Sequence, residues 1–180
     1  MGYKKTSVND IAVASGISKA AVFHYFGSKK ALYFYLIEHG GALVLEEFHS
    51  RWDDTSTDFF NRVLSSARVK VAFIHAHPPV LAFLGSVYFE TDPEVIEEVR
   101  VLLSQSSAVQ NQIALKGTDL SKFKDDVDPQ LVLNILLRFA EGYVSPSSRN
   151  GETDFDELMR EFEASLDLMK RHFYKEEYLP

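Results

Sequence analysis

From Ser7 onward the apolar residues of this chain recur at intervals of three and four, and a start signal stands before nearly every such run. That spacing stacks apolar side chains on one face of a 3.6-residue helix. Ser7 opens the first helix, with Asp10 three residues on as a capping-box-like partner, and Gly16 ends it. Ser18 caps a short helix to about Phe26; Gly27-Ser28 then stops that helix and caps a long one from Lys29 to about His49. A run from Thr57 to His77 puts Phe60, Val63, Leu64, Ala67, Val71 and Ile74 on one face, and His77-Pro78-Pro79 breaks it. A shorter segment covers Val80 to Phe89. Thr91-Asp-Pro-Glu94 is a strong start signal for a helix reaching Ile113, and residues 116–128 read as a polar loop. Asp128-Pro129 opens a helix with Leu131, Val132, Ile135, Leu136, Phe139 and Tyr143 on its stripe. Residues 145–153 have linker composition. The last helix, Asp154 to Tyr174, spaces Phe155, Leu158, Phe162, Leu166, Met169 and Phe173 by three or four. The predicted fold class is all-α.

Composition narrows the function classes. With 180 residues there is room for one ordinary domain or two small ones. The absence of cysteine removes disulfides, thiolate metal sites and cysteine nucleophiles, and fits a cytoplasmic protein. The longest apolar stretch, residues 31–37, falls far short of the roughly 18 needed to span a bilayer. Met1-Gly2-x-x-x-Thr6 fits a short acylation pattern, but one acyl chain anchors only marginally and Gly2-Tyr3 serves better as a turn. No apolar region follows Lys4 and Lys5, so no signal peptide is expected. The net charge of −7 hides an asymmetry. Residues 1–30 carry five lysines against one acid, giving +4, and the remaining 14 Lys/Arg against 25 Asp/Glu give −11. A basic tip on an acidic body suggests two jobs.

The basic tip holds the informative pattern, VNDIAVASGISKAAVFHYFG over residues 8–27. A helix-turn-helix needs a small residue where its helices cross, a turn residue able to go left-handed, and apolar inward faces. Ala12, Gly16, Ile17 and Val22 supply these, with Ile11 and Tyr25 expected to complete the inner face. The first helix would cross the DNA backbone and the second, from Ser18, would enter the major groove.

The series Thr6-Ser7-Val-x-x-Ile11-Ala12-x-x-x-Gly16-Ile17-Ser18-Lys19-x-x-Val22-Phe23-His24-Tyr25-Phe26-x-x-Lys29-x-x-Leu32 closely resembles the N-terminal signature of the TetR family of bacterial transcriptional regulators. The resemblance covers residues 2–36 and implies a homodimer that binds a palindromic double-stranded DNA operator and releases it when a small molecule enters each body. It implies a helix-turn-helix domain over residues 1–36 and a helical regulatory and dimerisation domain over 37–180. By position, Thr6 and Ser7 would meet a phosphate at a helix N-terminus. Ser18 lies at the start of the reading helix, and Lys19, Ala20 and Ala21 would face base edges. His24, Tyr25 and Lys29 would touch backbone, with Lys30 adding diffuse charge. Phe23 stands where the family commonly has tyrosine, so it brings no hydroxyl to a phosphate. The family also implies one more helix ahead of Gly2-Tyr3, which these residues do not include. The expectation is a sequence that starts late rather than a shortened domain.

The body is rich in aromatics. Phe60, Phe73, Phe83, Phe139 and Tyr143, with His75 and Tyr88 as polar handles, are the candidates for an effector pocket, although such a stripe is often plain core. Leu158, Phe162, Leu166 and Met169 are the candidates for pairing with a second copy in a four-helix bundle. Enzyme readings find little. Glu46-x-x-His49 has di-iron spacing but no second copy, His75 and His77 point about 200° apart on a helix, and no phosphate-binding loop or nucleophile elbow is present. The expectation is a binding protein without catalytic residues, metal or cofactor, and with no membrane partner. The alternative is a helical module that sequesters a ligand without reading DNA.

Overall fold

The computed structural model describes residues 2–52, 55–144 and 154–179. The described residues are mainly helical: α1 Val8–Ala14, α2 Lys19–Phe26, α3 Lys29–Arg51, α4 Phe59–Ala76, α5 Pro78–Val87, α6 Ile96–Leu115, α7 Pro129–Val144 and α8 Phe155–Phe173. The all-α expectation holds; among the described residues the only β-type pairing is an isolated bridge between Phe123 and Tyr174. No helix of the described residues is long and apolar enough to cross a membrane.

Local chemistry explains where these helices begin. Ser18 Oγ accepts the Ala21 N–H at 3.0 Å, Ser28 Oγ accepts that of Ala31 at 3.0 Å, and Asp154 accepts those of Asp156 and Glu157 at 3.0 Å. Two expected boundaries move. Pro78 and Pro79 do not separate α4 from a helix at Val80; they are the first residues of α5, where a missing N–H is no loss. The turn at Asp92 does not enter α6 directly. Val95 and Ile96 both donate to the Asp92 carbonyl, and the helix begins at Ile96.

The chain divides into two compact units, Met1–Glu47 with Phe73–Ser107 and Phe48–Ala72 with Ala108–Pro180. The functional boundary expected near residue 36 lies inside the first. That unit holds two apolar clusters. One is Val8, Ala12, Val22 and Leu32, with Ile11, Phe26 and Leu36 packed on it. The other is Tyr3, Tyr33, Val87, Val95 and Val99, with Phe34, Ile37, Phe83 and Leu103 around it.

The second unit is built on aromatics. Phe59, Phe60, Phe123 and Tyr174 lie 4.9–5.8 Å apart, mostly edge to face, a packing that adds to the area each ring buries. The segment expected to be a polar loop is partly core: Phe123 is buried, and the segment is pinned where Lys124 N–H donates to Phe173 O and Lys175 N–H to Lys122 O. Arg62, also buried, fastens the neighbouring turns, giving hydrogen bonds of 2.8 Å to the carbonyls of Ser56 and Lys116 and lying over the Trp52 ring.

Candidate nucleic-acid interface

The basic tip folds into two short helices joined by a tight turn. After α1, Gly16 takes φ +68°, a region costly for any side chain with a Cβ. Its N–H donates to Val13 O and that of Ile17 to Ala12 O, a pair of bonds that closes the helix end in a Schellman arrangement. The turn lets Ala12 and Val22, both buried, meet at the crossing over Val8 and Leu32. A larger residue at position 12 would push the helices apart.

With Val22 inward, α2 presents Lys19, Ala20, Phe23, His24 and Tyr25 to solvent, while Ala21 is half-buried. Tyr25 is not part of the inner face; it is 77% exposed, and its neighbour Phe26 packs inward instead. Ile17 is likewise exposed. Lys19 extends over the Phe23 ring at 5.9 Å, and the His24 and Tyr25 rings meet edge to face.

The expected phosphate ligands lie on the flanks. Ser7 Oγ accepts the Asp10 N–H at 3.1 Å as the N-cap of α1, while the Thr6 hydroxyl donates to Gly2 O at 3.1 Å. Lys29, the first residue of α3, sits with Nζ 4.2 Å from the centre of the Tyr3 ring. Lys30 has another occupation. It donates to Glu98 at 2.6 Å and to the Glu94 carbonyl at 2.8 Å, so its charge is neutralised rather than offered outward.

Two residues missed by the sequence reading hold this region together. Tyr3 is buried, and its N–H donates to Glu90 Oε2 at 2.7 Å; the other Glu90 oxygen accepts the N–H groups of Thr91 and Asp92 at 3.0 Å. Nothing local links residues 3 and 90. The hint was Glu90 itself, an acid just before a turn whose free N–H groups need an acceptor.

The other candidates fall as follows. Phe60 belongs to the aromatic core of the second unit, and Phe139 stacks on Phe162 at 6.1 Å. Phe73, Phe83, His75 and Tyr88 belong to the first unit. Phe73 is buried with the His77 ring 4.8 Å away, Phe83 packs on Tyr33, and His75 and Tyr88 are exposed. The side chain of Tyr143 lies outside the described residues. Phe162 and Leu166 point into the core of their own unit, with Met169 packed against it and Leu158 half-buried. Among the described side chains of these two helices, the large apolar ones that are exposed are Leu131, Ile135 and Phe139 of α7 and Leu168 of α8. Among the described residues no cluster of His, Asp and Glu could hold a metal.

A helix-turn-helix with an exposed basic reading helix, carried by a helical body, defines a DNA-binding regulator. Residues 1–36 match the family described as bacterial regulatory proteins, tetR family. The whole chain is similar in fold to the TetR-family regulator PfmR of Thermus thermophilus (21% identity, 94% of this chain and 90% of that one, TM-score 0.65). It is also similar to a TetR-like regulator of a Rhodococcus species (18%, 94% and 86%, TM-score 0.70) and to a TetR-family regulator of Chloroflexus aurantiacus (23%, 96% and 86%, TM-score 0.67). No curated protein matches the sequence. Residues 1–36 thus carry the N-terminal signature of TetR-family regulators, and the fold of the chain is similar to theirs.

Proposed function

We propose that this regulator is a repressor, working in the cytoplasm as a homodimer that holds a palindromic operator and lets go when a small apolar or aromatic molecule binds its body. The observation that carries the reading is the two-sided α2: Val22 is buried, while Lys19, Ala20 and His24 stand exposed. A lysine can reach guanine in the major groove and an alanine methyl can rest against thymine. Phosphate contacts from Ser7 and Lys29 would set the register. Twofold symmetry would place two such helices about one DNA turn, ~34 Å, apart.

An effector would act by preferring a body conformation in which the two readers are mis-spaced. A coupling of ~1–3 kcal/mol changes operator affinity about 5- to 150-fold. Of the candidate pocket residues, Phe73, His75, Phe83 and Tyr88 share the first unit and are the ones proposed to meet the effector. For pairing, the exposed Leu131, Ile135 and Leu168 are proposed with the half-buried Leu158 and Met169, since Phe162 and Leu166 are used by the core of their own unit. The protein is read as a binder and not a catalyst.

Selection of duplexes from a random pool tests this. Enrichment of a palindrome is expected. Lys29→Ala should weaken binding to all sequences and lower the salt slope by about 1, whereas Lys19→Ala should also relax sequence preference. A pool from which nothing is enriched would leave a ligand-sequestering module instead.

A further inference from the structure

We infer that Tyr3 is a positioning residue for DNA binding, its ring holding the Lys29 ammonium in place to meet a backbone phosphate. The inference rests on the proposed reading of Lys29 as a phosphate ligand.

Lys29 and Lys30 are adjacent in sequence and start the same helix, yet they are held in opposite ways. Lys30 is neutralised by Glu98. Among the described residues no acid pairs with Lys29; its ammonium lies 4.2 Å from the centre of an aromatic ring. A ring face attracts a cation through its quadrupole without cancelling the charge. An ammonium also has three N–H donors, so contact with a ring on one side leaves donors for a phosphate on the other. A lysine stem loses rotamer freedom when it is fixed at a phosphate, and a lysine already held on a ring has less to lose.

The ring can do this because it is fixed. Tyr3 is 4% exposed, its ring and that of Tyr33 meet in an edge-to-face arrangement at 5.1 Å between ring centres, and its main chain is tied to Glu90. Thr6 closes the turn behind it, with the hydroxyl donating to Gly2 O and the N–H to Tyr3 O. Glu94 lies beside the Tyr3 hydroxyl, so the polar end of the ring is occupied and its face is left for Lys29.

The test is a double-mutant cycle on the full chain, read as affinity for a duplex the chain itself selects from a random pool. With Lys29 present, Tyr3→Leu should weaken binding about three- to fivefold, the size of an exposed cation–π contact. In the Lys29→Ala background the same change should cost under about twofold. Tyr3→Phe, which keeps the ring, should bind like the parent. Equal losses in both backgrounds would mean that Tyr3 only folds the domain, and the inference fails. If Lys29→Ala binds as well as the parent, the inference also fails while DNA binding stands; if the parent selects no duplex, the proposed function fails first. Should Tyr3→Leu not fold, the Lys29 ε-methylene protons decide. They should resonate upfield of those of Lys4 and Lys5 in the parent and in Tyr3→Phe, and an unshifted resonance overturns the inference.

Discussion

Tyr3 and Glu90 are joined by a 2.7 Å hydrogen bond from a main-chain N–H to a buried carboxylate, across 87 residues of chain. With the bonds from Thr91 and Asp92, the two oxygens accept three N–H groups that would otherwise be buried or half-buried without a partner. In Glu90→Gln one oxygen becomes an NH₂ group facing an N–H donor. The expected cost is ~1–3 kcal/mol, or a fall of several degrees in thermal midpoint. Glu38→Gln, on the exposed side of α3, is the control; equal midpoints for the two variants would show that the Glu90 contact carries no weight.

Burial, reinforced by the Glu90 charge, pushes the Tyr33 phenol up to about 12 from its ordinary 10. The folded state therefore keeps its proton between pH 10 and 12, where the unfolded chain loses it. A raised pKa stabilises fully below pH 10, and that stability drains away as pH rises towards 12. The loss is on the order of 2 kcal/mol. Tyr33→Phe should flatten this alkaline limb. Because the Tyr33 hydroxyl has no hydrogen-bond partner among the described residues, the variant should be as stable as the parent at pH 7, or slightly more so. Denaturant unfolding at pH 7 and pH 11 measures both effects, and destabilisation at pH 7 beyond about 1 kcal/mol would reveal a hidden partner for the hydroxyl.

These two residues also mark what a linear reading could reach. Ser7, Ser18 and Ser28 were legible as caps, and Ala12, Gly16 and Val22 as the crossing and turn, because each answers to neighbours within a few positions. Tyr25 was misplaced because the faces of an eight-residue helix separate by only a residue, and Phe26 offered an equally apolar alternative. Lys30 was read as free charge because its partner Glu98 lies 68 residues away. Phe123 looked like part of a solvated loop, since one aromatic in a polar run has no periodicity to declare its burial. Contacts between distant segments decide such cases, and composition does not record them.

Tyr174 ties the end of α8 to the start of α4. Its hydroxyl accepts the Phe59 N–H at 3.2 Å, and its ring is fully buried among Phe59, Phe60 and Phe123. The hydroxyl pKa is raised, first by burial and then by the Asp58 charge. Tyr174→Phe preserves the packing and removes the acceptor from a buried N–H. The expected cost is ~1–3 kcal/mol without a change of fold, visible as an earlier urea midpoint at constant slope. A changed slope would mean that the aromatic core itself had rearranged.

Leu131, Ile135 and Phe139 are four residues apart on α7 and are 57%, 45% and 38% exposed, while Val132, Leu133 and Leu136 on the same helix are 4% exposed or less. The helix therefore has one apolar face inside its unit and, at Leu131 and Ile135, large apolar side chains turned to solvent, a pattern expected where a second copy covers them. A charge placed there should break pairing without touching the core. Ile135→Glu should stay folded, with stability within about 0.5 kcal/mol under conditions where both proteins are monomeric. If the proposed homodimer forms through this face, the variant should sediment as a monomer at concentrations where the parent sediments as a dimer. Leu166→Glu, which buries a charge in the core of the second unit, should instead unfold. Operator affinity should fall steeply for Ile135→Glu, because a single reader contacts half the site. A dimeric Ile135→Glu protein with parental operator affinity would remove this face of α7 from the proposed interface.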